Sequence, residues 1–238
     1  MIKLLVFDLD GTLVDTRHDI VNSVNRALVM QGYAALPFET VLSGIGDGAN
    51  HLIDRSLLAA QQNQVLKYGH EISAESDFTL ESKTVLQNFL IDYETHCMVE
   101  TKPYPGVESV LEHFKGIQKA VLTNKPETHT HRILKGLNLA QHFSWIVGGD
   151  NPHGAKPNPK AFHNILEQAG IKASEAVMIG DGIQDLKVAE NLKSRFIGFL
   201  SGIGDRKTLL DENPQMTIES MEFLPNAILE LNKIENYE

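Results

Sequence analysis

The chain has 238 residues, 42% of them hydrophobic, and its 31 acidic against 21 basic side chains give a formal net charge of -10. This composition supports a globular protein with a sizeable core, and the negative charge disfavours nucleic acids and anionic membrane surfaces as partners. The one cysteine, Cys97, excludes an internal disulfide, and no apolar stretch approaches the roughly 20 residues needed to cross a bilayer.

The first predicted element is a short strand over residues 3–7 that ends in two acidic residues. Asp8 and Asp10 interrupt the apolar run, so the sequence predicts no signal peptide and favours a cytoplasmic location. Because side chains alternate along an extended segment, both carboxylates can lean to one side and flank one reacting atom. An ordinary solvated Asp-Gly turn that closes the strand is the alternative interpretation.

The stretch from residue 15 to residue 102 carries helical patterns and no clear strand. A Pro-Tyr-Pro-Gly sequence at 103–106 marks the return to a different pattern. We therefore predict a helical cap domain, residues 15–102, inserted into a catalytic core formed by residues 1–14 and 103–238. The amphipathic helices of the cap are predicted over 20–31, over 50–60 and within 79–99.

Beyond this insert, short apolar runs alternate with helical patterns. Each run is expected to form a buried parallel strand, and each helical segment a crossover between strands. Such alternation predicts an α/β fold with a doubly wound, mostly parallel, Rossmann-like sheet. Right-handed crossovers bring the carboxyl ends of the strands, and the loops that leave them, to one edge. The predicted strands cover 119–122, 145–147, 176–179 and 195–200, and the predicted helices cover 127–137, 159–169 and 184–191.

Polar residues that suit a phosphate group follow four of the predicted strands. A hydroxyl and an amide can donate to an oxyanion, a lysine beside a helix amino terminus attracts one, and carboxylates bind a divalent cation. Since these strand ends meet at one edge, we expect the side chains to converge. They are Asp8 and Asp10 after the first strand, Thr123 and Asn124 after the second, Lys156 after the third, and Asp181 and Asp185 after the fourth.

Phosphoryl transfer from a monoester needs a nucleophile, neutralisation of the phosphate charge and a proton for the leaving oxygen. An aspartate with an ordinary pKa of about 3.9 is ionised at neutral pH, so it needs no base to act as a nucleophile. Mg²⁺ reduces the repulsion between such a carboxylate and the phosphate, and it prefers hard oxygen ligands such as Asp8 and Asp181. The sequence thus predicts a Mg²⁺ cofactor.

Three other polar residues are defined less well by the sequence. Lys125 follows Asn124, and the pattern leaves open whether it lines the cleft or faces solvent. His129 and His131 lie two residues apart on a predicted helix, where they point to different faces and do not share a metal ion. We expect both histidines at the surface.

Four motifs, in their order and spacing, resemble those of phosphatases of the haloacid dehalogenase superfamily. They are FDLDGTLVDT at 7–16, LTNKP at 122–126, GAKPNP at 154–159 and GDGIQD at 180–185. The resemblance covers nearly the whole chain and extends to the phosphoglycolate phosphatase branch. It implies that Asp8 is a nucleophile that becomes an aspartyl-phosphate, and that Asp10 protonates the leaving group and then activates water. The acid at Asp10 separates the chain from true dehalogenases, which lack one at that position.

The resemblance also implies which residues hold the metal ion and the phosphate. Asp8 and Asp181 would bind Mg²⁺ through their side chains and Asp10 through its backbone carbonyl. Asp185 would act on the metal indirectly, through an intervening group. The phosphate-binding residues would be Thr123, Asn124 and Lys156.

The segment 44–55 of the predicted cap resembles the phosphoglycolate phosphatase branch more weakly. Gly46 and Gly48 would let this loop approach a substrate closely, and Arg55 would bind a substrate carboxylate through a forked hydrogen bond. The alternative is a helix start with Arg55 on a solvated face. Departures from the usual pattern at Gly182 and at 201–204 leave the identity of the substrate open.

The sequence therefore predicts a Mg²⁺-dependent hydrolase of a small phosphorylated metabolite, with 2-phosphoglycolate as the first candidate. A pyrophosphatase, nucleotidase, sugar phosphatase or phosphoglucomutase of the same family is the alternative activity. A phosphate-accepting signalling module would place similar residues on a similar sheet, but it needs neither a cap nor Asp10. We expect a monomer or small homo-oligomer that binds neither nucleic acid nor membrane.

Overall fold

The central sheet is built from short strands that all run in one direction. Within residues 1–68 and 75–234, which the computed structural model describes, the strands are β1 (Leu4–Phe7), β2 (Val14–Asp15), β3 (Lys102–Pro103), β4 (Gln118–Leu122), β5 (Trp145–Val147), β6 (Ala176–Gly180), β7 (Arg195–Phe199) and β8 (Thr217–Ile218). Six of them form a sheet in the order β5-β4-β1-β6-β7-β8, and every neighbouring pair is parallel. This arrangement and the flanking helices confirm the predicted fold class.

Helices connect these strands and fill the inserted segment. In the same described residues they are α1 (Arg17–Met30), α2 (Phe38–Leu42), α3 (Ala49–Tyr68), α4 (Glu75–His96), α5 (Val107–His113), α6 (Glu127–Gly136), α7 (Lys160–Ala169), α8 (Ile183–Leu192), α9 (Arg206–Asp211) and α10 (Leu224–Ile234). Single 3₁₀ turns lie at Ala140–His142, Ala173–Glu175 and Met221–Phe223. In the part of the chain that the structure describes, none of the helices combines the length and hydropathy that a membrane crossing requires.

Two compact units make up the chain. The α/β unit comprises Met1–Asp15 and Lys102–Glu238, and the helical unit comprises Thr16–Thr101. In the α/β unit every residue of β1 and β6 is buried, because a parallel sheet carries helices on both faces. That the helical unit serves as a cap stays a prediction.

The core of the α/β unit joins the sheet to α7 and α8. Leu4 and Val6 of β1 pack in one cluster with Phe162 and Ile165 of α7 and Leu186 of α8. The apolar residues of α7 recur at helical spacing, so one of its faces is buried against the sheet. This packing fixes β1 at the centre of the sheet and therefore fixes the loop that carries Asp8 and Asp10.

A two-stranded ribbon lies where the chain leaves and re-enters the α/β unit. In this ribbon β2 pairs antiparallel with β3, with Val14 opposite Pro103 and Asp15 opposite Lys102. The Tyr104 N–H extends the pairing by donating to the carbonyl of Leu13 at 3.0 Å. The sequence does not predict this ribbon, because strands of two residues are too short to show alternation.

The helical unit is anchored by a buried carboxylate in its first helix, α1, which packs against α3 and α4. Asp19 is 2% exposed and accepts hydrogen bonds from the N–H groups of Glu100 at 3.0 Å and Thr101 at 2.9 Å. The Thr101 hydroxyl also donates to Asp19, at 2.7 Å. These bonds tie the first turn of α1 to the end of the unit.

One expectation about surface residues is wrong. His131 is exposed as expected, but His129 is buried. His129 precedes the buried Ile133 by four residues and so lies on the same face of α6. Helical spacing from Ile133, rather than from His131, predicts its position.

Candidate active site

The loop after β1 places Asp8 and Asp10 at the carboxyl edge of the sheet. The Asp8 N–H continues the strand by donating to the carbonyl of Ile179 in β6 at 2.9 Å. Gly11 then adopts a left-handed φ of 83°, and a Cβ at this position would overlap the carboxylate of Asp181. Glycine permits both the conformation and the close approach. The turn therefore brings the loop that carries Asp8 and Asp10 against the loop after β6.

A buried lysine joins two of the carboxylates. Lys156 Nζ lies 2.7 Å from Asp8 Oδ1 and 2.6 Å from Asp185 Oδ1, and the lysine side chain is 3% exposed. Burial by itself lowers the pKa of Lys156, but the negative charges of Asp185 and Asp8 outweigh burial and raise that pKa above its ordinary value. Lys156 therefore stays protonated beside Asp8, where it can balance negative charge on a phosphate.

Three donors hold the carboxylate of Asp181. Thr12 Oγ1 donates to Oδ1 at 2.9 Å, and the N–H groups of Ile203 and Gly204 donate to Oδ2, each at 2.8 Å. A Cβ on Gly202 would overlap the Asp181 side chain, so the loop reaches this carboxylate only because glycine stands there. From the sequence alone this loop is a departure from the usual pattern, and its contact with Asp181 is not anticipated.

Three carboxylates form a cluster that fits a divalent cation. Oxygen atoms of Asp8, Asp181 and Asp185 lie within 4.8 Å of one another. Burial, and then the charge of Asp8, raise the pKa of Asp181 to about 6. Burial also raises the pKa of Asp185 to about 7, with Lys156 opposing the rise. Like charges are thus crowded in a largely buried site, and hard oxygen donors in this arrangement are those that Mg²⁺ prefers.

The loop after β4 is hydrogen-bonded to the loop that carries Lys156. The Lys156 N–H donates to Asn124 Oδ1 at 2.7 Å, and Asn124 Nδ2 donates to the Lys156 carbonyl at 3.0 Å. Thr123 is buried, and its Oγ1 accepts a hydrogen bond from the N–H of Lys125 at 3.2 Å. The Asn124 carboxamide therefore positions the backbone of Lys156. Phosphate binding by Thr123, Asn124 and Lys156 stays a prediction.

Lys125 belongs to the same site, a point that the sequence left open. Its Nζ lies 3.0 Å from each carboxylate oxygen of Asp10, and the residue is 7% exposed. A signal for this position exists in the chain, since Lys125 directly follows Asn124 in the loop after β4. Strand ends of a parallel sheet share one edge, so the neighbour of Asn124 is expected there too.

The family follows from comparison with known proteins. A family model described as haloacid dehalogenase-like hydrolase matches residues 5–199. The chain belongs to this family. A phosphoglycolate phosphatase from Neisseria meningitidis is 34% identical over 214 residues, which cover 89% of this chain and 86% of the relative. One from Vibrio parahaemolyticus is 32% identical over 229 residues, covering 95% and 96%.

Solved structures agree with this haloacid dehalogenase-like fold. The crystal structure of a predicted phosphoglycolate phosphatase from Haemophilus somnus matches with a TM-score of 0.85 and 26% identity, over 94% of this chain and 97% of that chain. The resemblance drawn from the four motifs is thereby confirmed at the level of the family. All four motifs lie inside the matched residues 5–199.

The other candidate residues of this haloacid dehalogenase-like hydrolase lie in the helical unit. Gly46 and Gly48 have left-handed φ angles of 122° and 89°. The Arg55 side chain is 59% exposed, and its Nη1 lies 4.0 Å from Asp47 Oδ2, a separation at which an exposed ion pair contributes little. Arg55 lies on an exposed face in the second turn of α3, as the alternative interpretation expects. Substrate contact by Gly46, Gly48 and Arg55 stays a prediction.

Proposed function

We propose that this hydrolase is a Mg²⁺-dependent phosphatase that acts on small phosphomonoesters through an aspartyl-phosphate formed on Asp8. The observation that carries the proposal is the contact of Asp8 with protonated Lys156 inside a buried carboxylate cluster, with Asp10 two residues away. A nucleophile and a positive charge for the phosphate therefore meet at one point. The names of the relatives support 2-phosphoglycolate as the first candidate substrate.

In the first half-reaction, an oxygen of Asp8 attacks phosphorus and the bond from phosphorus to the leaving oxygen breaks. The electron pair of that bond stays on the leaving oxygen, which takes a proton from the carboxyl group of Asp10. The alcohol departs, Asp8 holds the phosphoryl group as an acyl phosphate, and Asp10 is left as a carboxylate. Lys156 balances negative charge on the transferring group.

In the second half-reaction, Asp10 accepts a proton from a water molecule whose oxygen attacks phosphorus. The bond between phosphorus and the Asp8 oxygen breaks, and its electron pair returns to the Asp8 carboxylate. Phosphate is released, Asp8 is ionised again and Asp10 is again protonated. The two steps together consume one ester and one water. Asp10 serves as the acid in the first step and as the base in the second.

The proposed ligands of Mg²⁺ are the side chains of Asp8 and Asp181 and the backbone carbonyl of Asp10. Bound Mg²⁺ supplies the positive charge that lets a carboxylate approach a phosphate dianion. Asp185 lies 2.6 Å from Lys156 Nζ, so we assign it to the orientation of Lys156 and thereby to the support of the site.

Phosphate release in the presence of Mg²⁺ tests the proposal. We expect repeated turnover by the wild-type protein and a fall of at least about 10³-fold in kcat for Asp8→Asn, because an amide is a poor nucleophile. Asp10→Asn should slow turnover by about 10²- to 10⁴-fold while fold and Mg²⁺ binding stay largely intact. Asp211→Asn, at an exposed position, is the matched control and should keep the wild-type rate. Normal turnover in either site variant would contradict the assigned roles.

A panel of phosphate compounds tests the substrate. It contains 2-phosphoglycolate, pyrophosphate, sugar phosphates and nucleotides, with isomerisation of glucose phosphates measured separately. We expect the highest kcat/KM with 2-phosphoglycolate, with the helical unit acting as the cap that selects it. A much higher kcat/KM with another compound would overturn the assignment of 2-phosphoglycolate as the substrate. Labelling of one phosphate per chain without further turnover would instead favour a signalling module.

A further inference from the structure

Each of the two proposed reacting carboxylates faces its own buried lysine. Lys156 lies beside Asp8, whereas Lys125 Nζ lies 3.0 Å from both carboxylate oxygens of Asp10. The side chains of Lys125 and Asp10 are 5% and 14% exposed. An ammonium group placed evenly between two oxygens restrains the rotation of the carboxyl group as well as its position. Lys125 is therefore placed to orient Asp10.

The backbone around Lys125 is held on two sides. Its N–H donates to Thr123 Oγ1 at 3.2 Å, and its carbonyl accepts from the N–H of Gly149 at 2.8 Å. Gly149 packs so closely on this turn that a Cβ would overlap the carbonyl of Asn124. The course of the chain after β4 is thus fixed, and with it the point from which the Lys125 side chain reaches Asp10.

A third buried lysine, on β4 itself, makes contacts of a different kind. Lys119 is 3% exposed, and its Nζ donates to the backbone carbonyls of Phe114 at 2.6 Å and Ile117 at 3.0 Å. These partners are neutral main-chain groups, whereas Lys125 contacts a side chain proposed to exchange protons. Lys119 therefore provides a control that matches Lys125 in residue type and burial.

We propose that Lys125 is a positioning residue for Asp10. It holds the Asp10 carboxyl group where that group can give its proton to the leaving oxygen, and its positive charge stabilises the carboxylate that remains afterwards. The inference rests on the proposed function, because Asp10 acts as an acid only in that reaction. Lys125 itself neither gives nor takes a proton, so the balance of both half-reactions is unchanged.

Esters with different leaving groups test this role. Methyl phosphate and 2-phosphoglycolate need a proton on the leaving oxygen, whereas p-nitrophenyl phosphate releases a stable anion and needs much less help from an acid. For Lys125→Met we expect kcat/KM to fall about 10²-fold with both alkyl esters and less than about 3-fold with the nitrophenyl ester. This parameter covers binding and the first half-reaction, so it reports on proton donation to the leaving group.

Control variants separate positioning from a general loss of structure. Lys119→Met removes a buried lysine without touching Asp10, so the ratio of alkyl to nitrophenyl kcat/KM should stay at the wild-type value. Lys125→Arg keeps a positive charge that can contact both oxygens. Its kcat/KM with the alkyl esters should therefore be about tenfold higher than that of Lys125→Met. A cooperative thermal unfolding transition, measured for each variant, checks that the protein is folded. Should Lys125→Met not fold, the same ratio is measured on Lys125→Gln, for which a similar but smaller selective loss is expected.

Several outcomes would overturn the inference, and they distinguish its failure from that of the proposed function. An equal loss of kcat/KM with all three esters would show that Lys125 has only a structural role. A loss confined to 2-phosphoglycolate would instead assign Lys125 to binding the substrate carboxylate. A wild-type protein without Mg²⁺-dependent turnover of any ester would overturn the proposed function together with the inference. Activity that is lost in Asp8→Asn but reduced evenly in Lys125→Met would overturn the inference alone.

Discussion

The α/β unit and the helical unit hold their candidate functional residues in opposite ways. In the α/β unit, Lys125 and Lys156 are buried and lie 2.6 to 3.0 Å from carboxylate partners. In the helical unit, Arg55 is 59% exposed and lies 4.0 Å from Asp47. Groups that take part in bond making need fixed geometry, whereas groups that select a substrate can adapt to it. The comparison thus separates residues proposed for chemistry from residues proposed for selection.

Among substitutions that leave every reacting group in place, the largest expected effect comes from breaking the fixed geometry of the α/β unit. In Gly202→Ala, the new Cβ would overlap the Asp181 side chain and push the loop away, so the Ile203 and Gly204 N–H groups lose their acceptor. We expect Mg²⁺-dependent kcat/KM to fall about 10²-fold. Phosphate release and a Mg²⁺ titration measure the change.

Gly116→Ala is the control for this substitution, because a Cβ at Gly116 meets no atom within 4 Å. It should keep the wild-type kcat/KM. A Gly202→Ala protein with wild-type activity would show that the loop does not orient Asp181.

The next effect concerns the crowded charges of the cluster and their pH dependence. Burial raises the pKa values of Asp181 and Asp185 above the ordinary 3.8. Between pH 3.8 and neutrality these two groups bind more protons in the folded protein without Mg²⁺ than in the unfolded chain, so their contribution to stability falls as pH rises through this window. Mg²⁺ bound at this proposed site would compete with these protons, so its stabilising effect should be largest at alkaline pH.

Thermal unfolding with and without Mg²⁺ measures this effect. At about 100 times its Kd, Mg²⁺ should add about 2.7 kcal/mol at about pH 8, which raises Tm by roughly 5–10 °C, and much less at about pH 5. Asp181→Asn should abolish most of the shift at the higher pH. An equal shift at both pH values would contradict competition between Mg²⁺ and protons.

The smallest effect is expected in the helical unit. Because Arg55 is exposed, Arg55→Ala should leave Tm unchanged, and loss of one charged hydrogen bond should raise KM for 2-phosphoglycolate about tenfold. Both kcat and the kinetics with methyl phosphate, which has no carboxylate, should stay at wild-type values. Arg132→Ala, at an exposed position of the α/β unit, is the control. An unchanged KM would remove Arg55 from the site and leave selection to other residues.

The sequence predicts the buried strands well because burial on both faces leaves a continuous apolar run. The strand expected over 145–147 is observed as Trp145–Val147, and that over 195–200 as Arg195–Phe199. The strand Thr217–Ile218 has only two residues and shows no such run. The helix expected over 50–60 extends to Tyr68, because its polar second half favours a helix without showing apolar periodicity.

The site is predicted in part, and its missing members share a cause. Asp8, Lys156, Asp181 and Asp185 meet as the shared sheet edge requires. The donors to Asp181 include main-chain N–H groups, and any residue except proline can supply these, so residue type carries no signal. The place of Lys125 beside Asn124 is such a signal, but lysine side chains are mostly exposed, so residue type alone favours solvent over the cleft.

The antiparallel ribbon of β2 and β3 bears on how this molecule can change. It ties Asp15 to Lys102 within the α/β unit, while Asp19 ties the two ends of the helical unit together through Thr101. Each unit thus closes on itself at the two peptide crossings that join them. Segments whose ends lie close together are the ones that tolerate insertion. Residues 16–101 therefore form an insert that recombination could replace with one of another length. Such an exchange would leave the α/β unit intact while changing the substrates that it accepts.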